Sequence, residues 1–374
     1  MKTIICAAIA LVLGLGCAHA VDRVRDQRVK LNSGYEMPVL GLGTWTLNDK
    51  QAEECVYFAL KNGCRLIDTA RYYGNEKGVG RGVRRAIADG LVKREDVFVT
   101  SKVMPSSYGE PDAAIRASLD ALGLDYIDLM LIHQPGSNDR AVYAALERGV
   151  KSGRLRSIGI SNYYTRAQLD EVLSYARIVP AVIQNENHLF YQNTELQKYA
   201  AKHGIVIESW YPFGGRGHTD ESFSAPAVRA IAAQHGVTPA QVILRWHVQA
   251  GYIAIPGSGD PKHIAAYLAL DGFTLSAEEM GAIAALDRHE RYENWYFLAP
   301  GCMKRPGVVL TFRKRTSAQR PKSRPVLSGM GLVLPTKVGK MKSCHRKNHQ
   351  NIFHSPERCF SAPDGERVRE GSFG

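Results

Sequence analysis

The sequence predicts an α/β chain folded as a (β/α)8 TIM barrel, with an N-terminal β-hairpin and a disordered, basic C-terminal tail. Three observations predict it. Eight short apolar runs alternate with amphipathic, helix-patterned stretches, the pattern of parallel strands joined by crossover helices. No run leads into a complete Gly-x-Gly-x-x-Gly loop, which the competing doubly wound sheet needs: Gly41-Leu-Gly43 lacks the third glycine, and Gly78-Val-Gly80-Arg-Gly82 lies inside a helical pattern. Polar residues end most of the runs, where a barrel opens its strand C-termini onto one face.

Taken in order, the chain begins with Lys2, an apolar run from Ile4 to Gly16 and the small-x-small sequence Ala18-His19-Ala20. Residues 1–20 are therefore expected to be a secretory signal peptide. The apolar run is too short to span a bilayer, and Gly16-Cys17 fits a lipoprotein attachment point only loosely. Val29 to Met37 reads as a hairpin. The eight runs are Val39 to Leu42, Leu66 to Asp68, Val97 to Ser101, Ile127 to Ile132, Ser157 to Ile160, Ala181 to Gln184, Ile205 to Trp210 and Tyr252 to Ile255. Between them the 3.6-residue period predicts helices over 51–61, 76–88, 112–122, 139–151, 165–175, 194–202, 227–234 and 238–249. Residues 21–300 are thus one barrel domain.

The formal charge of +12 looks like a nucleic-acid signal until it is located along the chain. Of the 48 Lys and Arg, 16 lie in residues 301–374, against 4 of the 36 Asp and Glu, so the rest of the chain is formally neutral. That tail is rich in Pro, Ser, Gly and basic residues, shows no helix or strand period, and is expected to be disordered. Cys344, His345, His349, His354 and Cys359 within it match no standard zinc spacing, so no metal site is expected. Cys55 and Cys64, nine residues apart along a helix and its end, stand about 13 Å from each other, too far for a disulfide. A monomer is expected, with no nucleic-acid partner and no membrane contact after signal removal.

The chemistry lies at the run ends. Asp68 ends the second run and Tyr73 follows in the loop; Lys102 ends the third, His133 the fourth, Ser161 and Asn162 the fifth, Gln184 the sixth and Trp210 the seventh, with Pro256-Gly-Ser-Gly259 after the eighth. Each alone has an ordinary structural explanation. Together on one face they suit reduction of a carbonyl by hydride transfer, which puts negative charge on oxygen and needs a proton donor near neutral pH. A phenol with a pKa of about 10 is a reluctant acid, and an adjacent ammonium moves it toward the working range. Lys102 is that ammonium, Asp68 its ion-pair partner, and His133 the group that orients the carbonyl oxygen beside Tyr73.

Asp68-Thr-Ala-Arg-Tyr-Tyr73-Gly-Asn-Glu, Thr100-Ser-Lys102, Leu129-Met-Leu-Ile-His133 and Ile158-Gly-Ile-Ser161-Asn162 resemble the aldo-keto reductase signatures in order and spacing. Pro180-Ala-Val-Ile-Gln184 and Ile255-Pro-Gly-Ser258 extend the resemblance to roughly 29–292, and the step from Asp68 to Tyr73 selects Tyr73 over Tyr72. The resemblance implies an NADPH-dependent reductase of aldehydes or ketones, with Asp68, Tyr73, Lys102 and His133 catalytic. It further implies that Thr44, Asp68, Ser161, Asn162, Gln184, Ser258 and His263 bind cofactor and that Trp210, where the family usually has Tyr, stacks on the nicotinamide ring. Many members carry Lys where this chain has Gly257 and Arg where it has His263, so Ser258, Lys262 and His263 make a thinner phosphate site and NADH is admitted beside NADPH. Trp45, His133 and Gln134 are implied substrate contacts, with Tyr72, Tyr108 and Trp295 further aromatic candidates for the wall. Gln134 stands where the family often has Trp, as in bacterial relatives similar to diketogluconate reductases, and favours a keto-sugar acid, short aldehyde or α-dicarbonyl over a steroid. An alternative from the same residues is a catalytically silent, nicotinamide-binding barrel acting as a sensor or subunit. The signal peptide implies a secreted or periplasmic protein, although reduced nicotinamide cofactors are recycled in the cytosol; a cytoplasmic protein follows if the signal is misread.

Overall fold

A computed structural model describes residues 23–293; the expected signal peptide 1–20, the tail 301–374 with its cysteines and histidines, and Trp295 lie outside the described residues. Strands β1 (Arg28–Lys30) and β2 (Glu36–Pro38) form the expected antiparallel hairpin, with Val29 opposite Met37. Met37 and Leu31 are buried against Leu66, Phe98, Leu129 and Val182, so the hairpin plugs the end of the barrel at which the strands begin.

The eight parallel strands follow in chain order around one sheet: β3 (Leu42–Gly43), β4 (Leu66–Asp68), β5 (Phe98–Val103), β6 (Ile127–Ile132), β7 (Leu155–Ser161), β8 (Val182–Glu186), β9 (Val206–Trp210) and β10 (Ile253–Ala254). Parallel bridges Leu40 to Ala254 and Gly43 to Gly257 close the sheet between its first and last strands. The glycine pair predicted not to hold a cofactor has a packing role at that seam. A Cβ on Gly43 would stand 2.8 Å from the Ile255 carbonyl oxygen, and one on Gly41 2.5 Å from Leu66 Cγ, so only glycine lets the chains approach this closely.

Helices α1 (Asp49–Lys61), α2 (Glu76–Ala88), α3 (Pro111–Leu122), α4 (Asp139–Lys151), α5 (Arg166–Tyr175), α6 (Thr194–Ala201), α8 (Pro226–His235) and α9 (Pro239–Gln249) occupy the eight predicted stretches to within two residues. Three helices were not expected: α7 (Thr219–Ser224), α10 (Pro261–Leu268) and α11 (Ala277–Ala284). The last two carry start signals, since Asp260 caps the Lys262 amide ahead of Pro261 and Ser276 forms a capping box with Glu279. Cys55 and Cys64 are buried, unpaired thiols, and burial pushes Cys64 up to about 11.

The second glycine cluster explains how α2 seats. Gly78 and Gly80 face the carbonyls of Asp49 and Leu122, at the borders of α1 and α3, and a Cβ on either would overlap those oxygens. Gly80→Ala is expected to lower stability by about 1–3 kcal/mol through this overpacking, read as a lower urea midpoint. A variant as stable as the parent would contradict the close approach.

Candidate active site

Every polar side chain singled out at a run end lies at the same mouth of the barrel. A cavity of about 290 Å³ opens there, and Asp68, Tyr73, His133, Gln134, Ser161, Asn162, Gln184, Trp210 and Ser258 line it with Trp45 and Tyr72. Asp68 closes β4, and the chain then turns through a short 3-10 segment, Arg71–Tyr73, ended by Gly74 at φ 70°. That left-handed glycine reverses the backbone into α2 and leaves Tyr73 facing the barrel axis. Thr69 donates to Asn75, and Asn75 donates to the carbonyls of Thr44 and Leu47, so the loop is tied to the one after β3.

Lys102 is the centre of the polar set. Its ammonium lies 2.8 Å from each Asp68 oxygen, 3.0 Å from the Thr69 carbonyl and 3.0 Å from the Tyr73 hydroxyl, with only 1% of the residue exposed. Burial alone would push it toward neutrality, but Asp68 and Tyr73 outweigh burial and hold it charged above the usual lysine range. Asp68 shows the opposite balance: burial raises its pKa, and Lys102 and Gln184 oppose the rise.

Tyr73 departs from the sequence expectation. Burial outweighs the nearby ammonium, so the phenol is pushed up to about 12 instead of down toward neutrality. The consequence is a hydroxyl that keeps its proton across the physiological range and has a cation in place to steady the oxygen once the proton leaves. His133 packs edge-on to Tyr73 at 5.9 Å between ring centres. Burial first, and Lys102 second, depress its pKa to about 3, so its ring is neutral and can donate one hydrogen bond without charge.

On the opposite wall, Asn162 adopts φ 66° at the end of β7 and donates to the His133 carbonyl at 2.9 Å. Ser161 and Gln184 pair in register on β7 and β8, and the Trp210 ring closes the pocket from β9. Two sequence expectations land elsewhere. The Thr44 hydroxyl donates to the Asp68 carbonyl at 2.9 Å and is fully buried, so it braces the site from behind. Tyr108 lies beneath the loop after β6, with its hydroxyl donating to the Gln134 carbonyl at 2.6 Å, because that loop folds over it and shuts it off from the pocket. His263 is exposed on α10, 3.4 Å from Ser258, with which it was expected to act.

Residues that sequence reasoning passed over also belong to the site. Tyr211 follows β9 at φ 52°, an unusual conformation for a bulky side chain, and accepts a hydrogen bond from the Trp45 indole across the mouth. Gly215 at φ 78° lies so close to the Tyr211 ring that any Cβ would overlap it. Glu208 of β9 is fully buried within reach of Gln184. Its signal was present as a single acidic residue inside an apolar strand run.

Residues 39–288 match the Aldo/keto reductase family. The chain is 38% identical over 306 residues to NAD(P)H-dependent D-xylose reductase I,II of Candida tropicalis, an alignment covering 71% of this chain and 94% of that protein. It is also 38% identical to the NAD(P)H-dependent D-xylose reductase of Scheffersomyces stipitis, over 71% of this chain and 96% of the relative. Among solved structures, an aldo-keto reductase from a Medee basin deep-sea metagenome library superposes with a TM-score of 0.67 at 34% identity, covering 72% of this chain and 97% of the other. An aldo/keto reductase from Brucella melitensis gives 0.65 at 37% identity, over 70% and 98%.

Proposed function

Because this chain belongs to the aldo/keto reductase family, we propose that it reduces small polar aldehydes or ketones to alcohols with NADPH, and with NADH also serving. The observation that carries this reading is the Tyr73 hydroxyl held 3.0 Å from a buried ammonium at the mouth of the barrel. The residues present suit the cofactor: Ser161, Asn162 and Gln184 offer amide and hydroxyl groups to a carboxamide, and Trp210 offers a ring face to a planar heterocycle in the same cavity. Bound there, the cofactor supplies the hydride.

The chain's own residues manage the proton and the charge. Neutral His133 donates to the carbonyl oxygen and orients it beside Tyr73. Tyr73 passes its hydroxyl proton to that oxygen, and Lys102 stabilises the phenolate left behind. Asp68 keeps Lys102 charged and in place. The intact set weighs against a catalytically silent barrel.

For substrate, Gln134 in the wall and exposed Arg216 at the rim favour a hydroxylated or acidic carbonyl compound. The relatives are named for an aldose, D-xylose, while the Gln134 comparison points to keto-sugar acids; both are polar and short.

On the cofactor, Gly257 brings no charge to this site, and a Cβ there would stand in tight contact, 3.1 Å from the Gly43 carbonyl at the barrel seam. Asp260 lies 4.0 Å from His263 and repels a phosphate at that point. A missing charge-assisted contact removes about 1.5–3 kcal/mol of preference, so kcat/KM with NADPH is expected to exceed that with NADH by less than about a hundredfold. Steady-state rates over a panel of sugars, short aldehydes and dicarbonyls test both statements. Cofactor binding without turnover on any of these substrates would favour the sensor reading.

A further inference from the structure

Among the described residues, the barrel interior holds a buried acid to which the mechanism above gives no work. Glu208 pairs in register with Gln184 on β8 and with Ile253 on β10, and none of its surface is exposed. Its Oε2 accepts from the Gln184 amide nitrogen at 2.8 Å, and the same nitrogen donates to Asp68 Oδ2 at 2.8 Å. Its Oε1 is buried with no hydrogen-bond partner.

The ionisable groups that face it are Asp68 from β4 and Lys102 from β5, with Tyr73 beyond Lys102. Lys102 is committed to both Asp68 oxygens, so one ammonium serves two buried carboxyls and Glu208 has no cation of its own. An ionised carboxylate with an orphaned oxygen is the costly state in such a place, and the neutral acid is the cheaper one. Burial, then the charge on Asp68, accordingly push its pKa up to about 8, against the pull of Gln184 and Lys102.

We propose that Glu208 is a positioning residue that works as a neutral acid, fixing the Gln184 amide between two carboxyls, and that its ionisation sets the alkaline limit of the reduction. The inference rests on the reductase reading. With its nitrogen turned to Asp68 and Glu208, Gln184 has its amide oxygen left to offer a ligand in the pocket. As pH rises, the Glu208 proton leaves to solvent and a second negative charge appears beside Asp68. Negative charge at Asp68 already raises the Tyr73 pKa, and a second charge on the same side raises it further. A weaker acid transfers its proton more slowly, so the rate falls. Tyr73 itself does not titrate in this range.

The test is the pH dependence of kcat/KM for carbonyl reduction by the loaded enzyme. The parent is expected to lose about tenfold between about pH 8 and 9.5, while Glu208→Gln, which carries a permanently neutral amide, shows a ratio near one over the same interval. An alkaline limb of unchanged position in the variant overturns the proposal. Carbon-13 NMR of the glutamate side-chain carboxyls in the parent protein gives a second readout that needs neither variant nor turnover. One carboxyl titrating above about pH 7 supports the proposal, and all of them titrating below about pH 6 overturns it. Absence of any reductase activity would sink the reading beneath, while the NMR titration would still decide the charge of Glu208.

Discussion

Lys102→Met is expected to lower kcat by about a thousandfold, the upper end of the loss seen when one preorganised donor is removed from a developing oxyanion. The ammonium is the only cation beside Tyr73 among the interactions of the described residues, and it is completely enclosed by Asp68, Thr69 and Tyr73. Its loss also strands the Asp68 carboxylate, which is 2% exposed and keeps only the Gln184 amide as a donor. Breaking a buried pair in this way costs about 3–5 kcal/mol, so a marked fall in thermal stability accompanies the kinetic effect. The double variant Asp68→Asn with Lys102→Met separates the two consequences. Removing both charges restores most of the stability, whereas catalysis stays low because Tyr73 still lacks its cation. A single variant within tenfold of the parent in kcat would contradict the role given to Lys102.

The pH behaviour of the site follows from burial. His133, depressed to about 3, stays neutral through the acid range in which an ordinary histidine would charge. Since its folded pKa is lowered, the unfolded chain binds the extra proton first. The stability His133 contributes is therefore present above the ordinary histidine value and is lost as pH falls from there toward about 3. Thermal stability is thus expected to fall as pH drops below the ordinary histidine value, read as a lower melting midpoint.

Much of this site was legible because period and position agree. Asp68, Lys102, His133 and Gln184 each stand at or near the end of an apolar run, and in a parallel barrel run ends converge whatever their separation in sequence. Tyr73 was legible through its spacing from Asp68, though not its acidity: pairing with Lys102 can be inferred from sequence, but the desolvation that outweighs it depends on how deeply the hydroxyl sits. Glu208 was hidden for a related reason. It lies within a run, and nothing in the sequence says which face of β9 points inward until Gln184 supplies the register. Tyr108 was misplaced because the loop after β6 decides where it points. Gln134, by contrast, lines the cavity.

Tyr73→Phe isolates the central claim, because it deletes one oxygen and leaves the ring that packs 4.8 Å from Trp45 and 5.9 Å from His133. Lys102 keeps both bonds to Asp68, so the pair and the fold are retained. Proton donation by a positioned side chain is worth about a hundredfold or more, and that factor is what the substitution removes. Rapid mixing of the reduced-cofactor complex with excess aldehyde, followed by nicotinamide absorbance in a single turnover, measures the step directly. The parent is expected to consume one equivalent of cofactor per site, and Tyr73→Phe to bind an equivalent with similar affinity yet consume it at least about a hundredfold more slowly. Consumption at the parental rate would contradict the assignment of the proton to this phenol.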